Sequence, residues 1–245
     1  NIVMKKKNLI SLLCGALCGV FVLSACGGGA GSSAASNELL GSVPGIFVEM
    51  AQEKQALNES LRNAKGVEEH DKLLKEYDEY VTECMQKAEE EGQKLVGREI
   101  PCTGDVYDEF KVTGAKITGY RGGKETGTIE VAVMVTPKYD MEVRMWQNNC
   151  AEGEYPLKDT RLYYALMKAD DHLISLGTLN PFSSNAANTA FEYADGQSIK
   201  AGDPCNSAGS PIAISCHSYD YTEFAKIVFL KEADYKAIRK QAFGF

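Results

Sequence analysis

Apolar residues in the first third of the chain recur every three or four positions, the spacing that places side chains on one face of a helix. The first segment with this pattern opens at Pro44, and proline is favoured in the first helical turn. Its apolar face consists of Met50, Leu57, Leu61 and Ala64. The dipeptide Lys65-Gly66 interrupts the pattern, so we predict an amphipathic helix that ends near residue 64.

A second and stronger helical pattern follows this break. Its apolar stripe consists of Leu74, Tyr77, Val81, Cys84, Ala88 and Leu95, and the opposite face is rich in glutamate and aspartate. Two helices joined by a short break that contains glycine are expected to form an antiparallel hairpin over residues 44–96. The hairpin either packs on its own domain or extends as an arm that recruits a partner. We favour packing, because each stripe covers only about two to three heptads.

From Gly97 onward the apolar residues alternate with polar ones, which is typical of strands with one buried face. The clearest strand spans residues 127–136, and its apolar face consists of Ile129, Val131, Val133 and Val135. We expect this strand to pair with a second one at 109–117, kinked at Gly114, through a glycine-rich turn at 120–127.

The remainder of the chain shows several shorter strand patterns. They lie at residues 140–147, 162–167, 173–176, 191–193, 198–200, 212–215 and 224–230. The last is nearly continuously apolar, which indicates a central strand, and residues 231–241 favour a closing helix. Because no crossover helices separate the strands, we predict an α+β fold rather than a parallel nucleotide-binding sheet. In it the helical hairpin precedes a β-rich domain at 97–245, a mostly antiparallel β-sandwich or open barrel with a C-terminal helix.

Residues 1–25 show the three parts of a secretory signal. Three lysines, Lys5 to Lys7, precede an apolar stretch from Leu9 to Val22, which at 14 residues is shorter than the roughly 20 needed to span a bilayer. The stretch ends in Leu23-Ser24-Ala25-Cys26, which resembles the lipobox of bacterial lipoproteins. The resemblance implies that Cys26 becomes the first mature residue and carries two or three fatty acyl chains, such as palmitate. An ordinary cleaved signal and an uncleaved anchor are the alternatives.

A lipobox also implies a location. Lipoproteins of this class are attached to the cell envelope, and in proteobacteria an Asp after the Cys favours retention in the inner membrane. Gly27 follows Cys26, so the resemblance favours the outer membrane, on its periplasmic or surface face. Residues 26–43 are rich in Gly, Ser and Ala and predict a flexible tether that lifts the folded part off the membrane. The expected partners are the membrane, through the lipid, and an envelope protein.

Charge excludes one class of partner. The chain has a formal net charge of −8, and removal of the three leader lysines changes this to −11. Nucleic acid is therefore not an expected ligand.

Five cysteines remain beyond Cys26: Cys84, Cys102, Cys150, Cys205 and Cys216. An odd number leaves at least one thiol without an intrachain disulfide partner, and the pairing cannot be deduced from sequence alone. Cys205 and Cys216 flank the turn signal Gly209-Ser210-Pro211, which favours a disulfide between them, and Cys102 with Cys150 is a second candidate pair. No pair has CxxC spacing, so neither a thioredoxin-like site nor a zinc knuckle is indicated, and we predict no cofactor.

Catalytic signals are weak. There is no nucleophile-elbow motif, and the adjacent Cys216 and His217 would point to opposite faces of a strand. Asp170-Asp171-His172 is better explained as a hairpin turn than as a metal site. We therefore predict a binding or assembly module, with the segments 177–190 and 201–211 as candidate binding loops. A small-ligand carrier and a hydrolytic enzyme of the envelope are the alternatives. The enzyme stays open because the paired carboxylates of a glycosidase follow no spacing rule in sequence.

Overall fold

The computed structural model describes residues 37–142, 162–179, 198–207 and 211–244. Its helices are α1 (Val43–Asn63), α2 (Val67–Gln93) and α3 (Glu232–Phe243), and a 3-10 helix spans Tyr219–Glu223. The strands are β1 (Cys102–Thr103), β2 (Phe110–Gly123), β3 (Thr126–Pro137), β4 (Met141–Glu142), β5 (Leu162–Lys168), β6 (Leu173–Leu179), β7 (Ser198–Ile199), β8 (Cys205–Asn206), β9 (Ile212–Ser215) and β10 (Phe224–Leu230). The predicted α+β class is confirmed.

Both predicted N-terminal helices are present. Pro44 lies in the first turn of α1, and the chain leaves helical geometry at Ala64. Helix α2 begins after Gly66, whose φ of 101° few residues other than glycine adopt. The two helices contact each other, while their antiparallel arrangement as a hairpin stays a prediction. None of the helices in the described residues is long and apolar enough to cross a membrane.

The first sheet is organised around β3. Strand β2 pairs antiparallel along its whole length on one side, and β8 and β9 pair with different parts of β3 on the other. The predicted inward face is fully buried, and it consists of Ile129, Val131, Val133 and Val135. The register of β2 shifts between Val112 and Gly114, which confirms the predicted kink as a β-bulge.

The turn between β2 and β3 is tighter than predicted. The ladder continues to the pair Gly123 and Thr126, so only Lys124 and Glu125 form the turn. Glu125 has a φ of 57°, in the left-handed region that residues other than glycine seldom adopt. The predicted turn at 120–127 was too long, because its glycines lie within paired strands.

The second sheet has the strand order β1, β10, β5, β6. Strand β10 runs parallel to β1 and antiparallel to β5, so its predicted central position is confirmed. Strands β5 and β6 form the predicted hairpin, and the side chain of Asp170 accepts a hydrogen bond from the backbone of His172 at 3.2 Å. Among the described strand pairs, only β1 and β10 are parallel.

Strands β4 and β7 form a separate two-stranded ladder. Of the predicted strand at 140–147, the structure describes a strand only at Met141–Glu142, because residues 143–150 lie outside the described residues. The same holds for residues 191–193, which were predicted as another strand.

A single apolar core joins both sheets and the beginning of α1. Its largest buried side chains include Phe110 from β2, Phe224 and Phe229 from β10, and Ile46 from α1. The C-terminal helix α3 lies at the periphery and contains no buried residue. Its half-buried Tyr235, predicted to face inward, contacts Tyr163 with the ring centroids 5.1 Å apart.

The folded part begins earlier than the sequence predicted. The side-chain amide of Asn37 donates to the carbonyls of Thr222 and Phe224, both at 2.9 Å. Leu40 and Val43 are fully buried. Residues 37–43, which were assigned to the tether, therefore belong to the fold because they fill the core beside the 3-10 helix, whereas residues 26–36 lie outside the described residues.

Candidate functional site

The outer halves of α1 and α2 form a feature that we call the distal arm, residues 51–63 and 67–80. The buried residues of α1 all lie between Val43 and Met50. Those of α2 are Val81, Ala88 and Gly92. The distal arm therefore contains no buried residue, and at 1.5 Å per residue its α1 portion is about 20 Å long. The proximal halves pack on the body as we favoured, and at the base of the distal arm Tyr77 and Tyr80 also pack against the core.

The distal arm keeps a narrow apolar seam of its own. Half-buried side chains on it are Ala56, Leu57 and Leu61 of α1 with Leu73 and Tyr77 of α2. Leu74, which was predicted on the apolar stripe, is 38% exposed, and Val67 is 75% exposed. Leu73, which lies four residues before Tyr77, takes the place of Leu74 on this seam.

Helix α2 is also the most acidic element. It carries ten acidic residues and three lysines, so its formal charge of −7 is close to that of the whole chain. Most of these side chains are exposed, as expected for the polar face of the predicted helix.

A cleft of about 100 Å³ lies at the base of the distal arm, and we call it the base cleft. It is lined by Phe47, Met50, Ala51, Lys54, Tyr77, Glu125 and His217. The four α1 residues share one helix face because they are spaced three or four positions apart. The remaining three come from α2, from the β2–β3 turn and from the segment after β9.

Opposite charges meet at the base cleft. The ammonium of Lys54 donates to the carboxylate of Glu125, and this contact raises the pKa of Lys54. The side chain of Lys54 is 52% exposed and that of Glu125 25% exposed. This ion pair therefore links α1 to the β2–β3 turn at the solvent boundary and contributes little to stability.

Two tyrosine hydroxyls near the base cleft are buried without a hydrogen-bond partner in the described part of the chain: those of Tyr77 and Tyr120. Burial, the largest cause, and then the charge of Glu125 raise the pKa of Tyr77. A buried hydroxyl without a partner costs about 1–3 kcal/mol, so a native structure keeps few of them.

Gly127 allows the close packing around these tyrosines. A Cβ atom at this position would lie 2.4 Å from the ring of Phe47 and 2.7 Å from the hydroxyl of Tyr120. Real Cβ atoms essentially never approach so closely, so the helix α1 can rest on β3 only where the strand has no side chain.

The predicted disulfide between Cys205 and Cys216 is wrong in this structure. Cys205 pairs with Val135, while Ser215 pairs with Thr128, seven positions away along β3. At ~3.4 Å per residue this separation is about 24 Å, and a disulfide requires Cα atoms within about 7 Å. Cys216 is a free thiol. The turn signal between the two cysteines lies between β8 and β9. These strands pair with successive parts of β3 and do not pair with each other.

Cys216 is also unsuited to nucleophilic catalysis. It is fully buried, and burial raises its pKa to about 12. His217 beside it is exposed and lines the base cleft, so the two side chains point in different directions, but both residues lie in the turn after β9 and not in the strand that the prediction assumed. The other predicted partner of a disulfide, Cys150, and the lipidation site Cys26 lie outside the described residues.

The remaining histidines are exposed. His70 lies on the distal arm with Nδ1 3.8 Å from the carboxylate of Asp71, and His172 lies at the β5–β6 turn, 2.9 Å from that of Asp170. Within the described residues, no group of three or more His, Cys, Asp or Glu side chains is arranged to hold a metal ion.

The two candidate binding loops are only partly described. Residues 177–179 belong to the end of β6, residues 201–207 form a turn and β8, and residues 180–190 and 208–210 lie outside the described residues. The base cleft was not predicted, because its lining comes from four separate segments. The only available signal was the helical spacing from Phe47 to Lys54.

The chain matches no protein-family model, no curated protein and no solved structure.

Proposed function

We propose that this protein is a lipid-anchored module of the bacterial cell envelope that binds a protein partner through its distal arm. The observation that carries the proposal is that neither helix has a buried residue beyond Met50 or before Val81. In proteins most helical stability comes from packing of an apolar face, so helices that extend beyond their own core are available to another surface.

The anchor supports this arrangement. A lipobox at Cys26 attaches the chain to a membrane, with the outer membrane as the destination that Gly27 favours. The tether of about ten residues to Asn37 has a root-mean-square length of roughly 16–19 Å if flexible. Helix α1 begins six residues after Asn37, and its 21 residues extend about 30 Å. The tip of the distal arm therefore lies at the end of α1 remote from the tether.

The charge of α2 indicates which surface it would bind. With ten acidic side chains against three lysines, α2 favours a partner with basic residues around an apolar patch that covers Val67 and Leu74. Such complementarity governs the association rate and the choice of partner more than the affinity.

Site-specific photocrosslinking in the native envelope tests the proposal. A photoreactive residue is placed in the full, lipidated chain at Lys72 or Leu74 on the distal arm, and at Lys116 or Lys236 as exposed body controls. We expect a discrete crosslinked protein from the arm positions only. Reversing the charge of Glu68 and Glu69 should reduce this product several-fold. The same products from arm and body positions, or none from the arm, would contradict the proposal.

A small-ligand carrier is the second candidate, and the base cleft is the observation that favours it. The cleft brings the buried side chains of Phe47 and Met50 together with the charged groups of Lys54 and Glu125, and a mostly apolar lining with a few polar groups is common in ligand sites. Its small volume limits the size of any cargo.

A further inference from the structure

We infer that the partner of the distal arm docks as an amphipathic α-helix with basic flanks, packed on the face of α2 that carries Val67 and Leu74. This mode of docking rests on the proposed function and deepens it, because it names the kind of element that binds and the face of α2 that it covers.

One face of α2 continues from the body of the protein into the distal arm. Apolar residues occupy every seventh position along this face, and the two in the distal arm are the exposed ones: Leu95 is 3% exposed, Ala88 0%, Val81 8%, Leu74 38% and Val67 75%. Because a helix turns by ~100° per residue, a step of seven residues rotates it by only about 20°. Val67 and Leu74 therefore lie within about 40° of the buried Val81 around the helix axis.

In the proximal half of α2, strand β2 covers this face. Gly92 is buried against the ring of Tyr120, and the Cε atom of Met85 lies 3.5 Å from the position of a Cβ atom at Gly122. Strand β2 ends at Gly123, so its cover ends where the distal arm begins to extend past the β2–β3 turn. The exposed part of the face is thus a continuation of a surface that already packs against protein.

The seam between α1 and α2 uses a different side of the helix. Leu73 belongs to the seam, and it lies ~100° around the helix from the adjacent Leu74. A partner can therefore cover Leu74 and Val67 without separating α1 from α2.

The spacing of the two exposed side chains selects a helix as the docking element. Val67 and Leu74 are seven residues apart, which is ~10.5 Å along α2 at 1.5 Å per residue. A second helix with a seven-residue apolar repeat presents side chains at the same interval, as in a coiled coil. In an extended strand, side chains on one face recur at intervals of ~6.8 Å, and neither one nor two intervals match this distance.

The charges beside this face require basic flanks on the partner. Asp71 and Asp78 lie on the side away from the seam, also seven residues apart, and both are exposed. Neither forms an ion pair with a lysine or arginine in the part of the chain that the structure describes. A partner helix with Lys or Arg at the matching positions would pair with both. The arm of a second copy carries the same acidic side chains and is repelled, so the partner is a different protein.

Photocrosslinking that distinguishes the two faces of α2 tests this docking mode in the full, lipidated chain within its own envelope. The photoreactive amino acid p-benzoylphenylalanine replaces Val67 or Leu74 on the docking face, and Lys72 or Glu79 on the opposite face. We expect the yield of crosslinked partner from the docking face to exceed that from the opposite face several-fold.

Mass spectrometry of the products then identifies the docking element. The partner residues attached from positions 67 and 74 should lie about seven apart in the partner sequence, because ~10.5 Å corresponds to seven residues of a helix. In an extended strand the same distance corresponds to about three residues.

Two pairs of substitutions test the flanking charges. Asp71→Asn combined with Asp78→Asn should lower the yield from position 74 several-fold. Glu68→Gln combined with Glu79→Gln removes the same charge from the opposite face and is the matched control, so it should lower the yield less. All four side chains are exposed, so neither pair should alter the helical circular dichroism signal.

Each contrary result has its own meaning. Equal yields from both faces, attachment sites about three residues apart, or equal effects of the two charge pairs would overturn helix docking while leaving the proposed function intact. A product that consists of two copies of this chain would also overturn it. No product from any position of the distal arm would contradict the proposed function itself, and helix docking with it.

Discussion

Cys216 shows how burial fixes the chemistry of a single side chain. Its thiol is fully buried beside β3, with Sγ 3.5 Å from the carbonyl of Ile214. Because a thiolate there would lose its hydration, burial raises the pKa from the ordinary 9.0 to about 12. The protonated form is therefore the native form over the physiological range, and the thiol is structural rather than reactive.

We expect this group to make the protein less stable at high pH. Between pH 9 and 12 the unfolded chain releases the Cys216 proton while the native state keeps it, so the unfolded state binds fewer protons and stability falls as pH rises. For this group alone the loss is about 1.4 kcal/mol per pH unit. Urea unfolding of the wild type and of Cys216→Ala at pH 7, 9, 10 and 11 measures it. The stability difference between the two proteins should stay constant below pH 8 and change above pH 9; a constant difference throughout would refute the assignment.

Ser207 fills the gap between β8 and β9 along β3. It is 1% exposed, its backbone N–H donates to the carbonyl of Val133, and its hydroxyl accepts from the N–H of the same residue, both at 2.9 Å. The hydroxyl of Ser207 thus accepts the hydrogen bond from Val133 that a backbone carbonyl would accept in a regular β-ladder. The sequence did not reveal this role, because a serine next to a glycine-rich turn usually faces solvent.

Ser207→Ala should lower the free energy of unfolding by about 1–3 kcal/mol, because the buried N–H of Val133 loses its acceptor. Ser60→Ala is the matched control, since Ser60 is exposed and its hydroxyl only donates to Ala56 within the distal arm. We expect that control to change stability by no more than ~0.5 kcal/mol. Chemical denaturation compares the two, and equal effects would show that Ser207 has no such structural role.

At the scale of elements, local periodicity in the sequence predicted the helices and strands correctly. It did not predict the close packing between residues that are distant in sequence. The helices, β3 and the bulge near Gly114 follow from residue spacing, which the sequence displays directly. The glycines at 122 and 127 predicted a loose turn, yet both lie in paired strands. At Gly127 the missing side chain makes room for Phe47 and Tyr120, which are distant in sequence, so only the tertiary structure distinguishes this use of glycine from a turn.

The distal arm should differ in local stability from the proximal halves of the same helices. Amides at 44–50 of α1 and 81–92 of α2 are held by packing on the core, whereas those at 54–62 are held by helical hydrogen bonds and a narrow seam. Native-state hydrogen exchange should therefore show protection in the distal part at least tenfold lower than in the proximal part, a difference of ~1.4 kcal/mol or more.

Leu61→Ala provides a check on this expectation. It should accelerate exchange in the distal arm while leaving the exchange of β3 unchanged, because Leu61 is not among the side chains that pack against the core. Uniform protection along α1, or a coupled change in β3, would show that the distal arm folds as one unit with the body.

At the scale of the whole molecule, features encoded within one segment could be predicted from the sequence, whereas features that require several segments to meet could not. The α+β class, the central strand β10 and the closing helix follow from patterns that each lie within one segment. The base cleft requires α1, α2, a two-residue turn and the segment after β9 to meet, and no single segment carries that information. The same reason explains the wrong disulfide: the chain order of Cys205 and Cys216 suggested a hairpin, while the ladder places β8 and β9 one after the other along β3.

Attachment to the membrane should depend on Cys26 alone and be independent of the fold. Two or three acyl chains at ~0.8 kcal/mol per buried CH₂ anchor a protein stably in a bilayer, whereas a surface with this net acidic charge gains nothing from anionic lipid headgroups. Because the fold is fixed from Asn37 onward by its own contacts, removing the lipid should not unfold it.

Cys26→Ala should therefore move the protein from the membrane fraction to the supernatant after a carbonate wash, with an unchanged circular dichroism spectrum and melting temperature. Cys102→Ala, which alters a half-buried thiol of the body, should remain in the membrane fraction. If Cys26→Ala stayed in the membrane fraction, a contact of the folded domain would have to hold the molecule there, and the lipid anchor would be rejected.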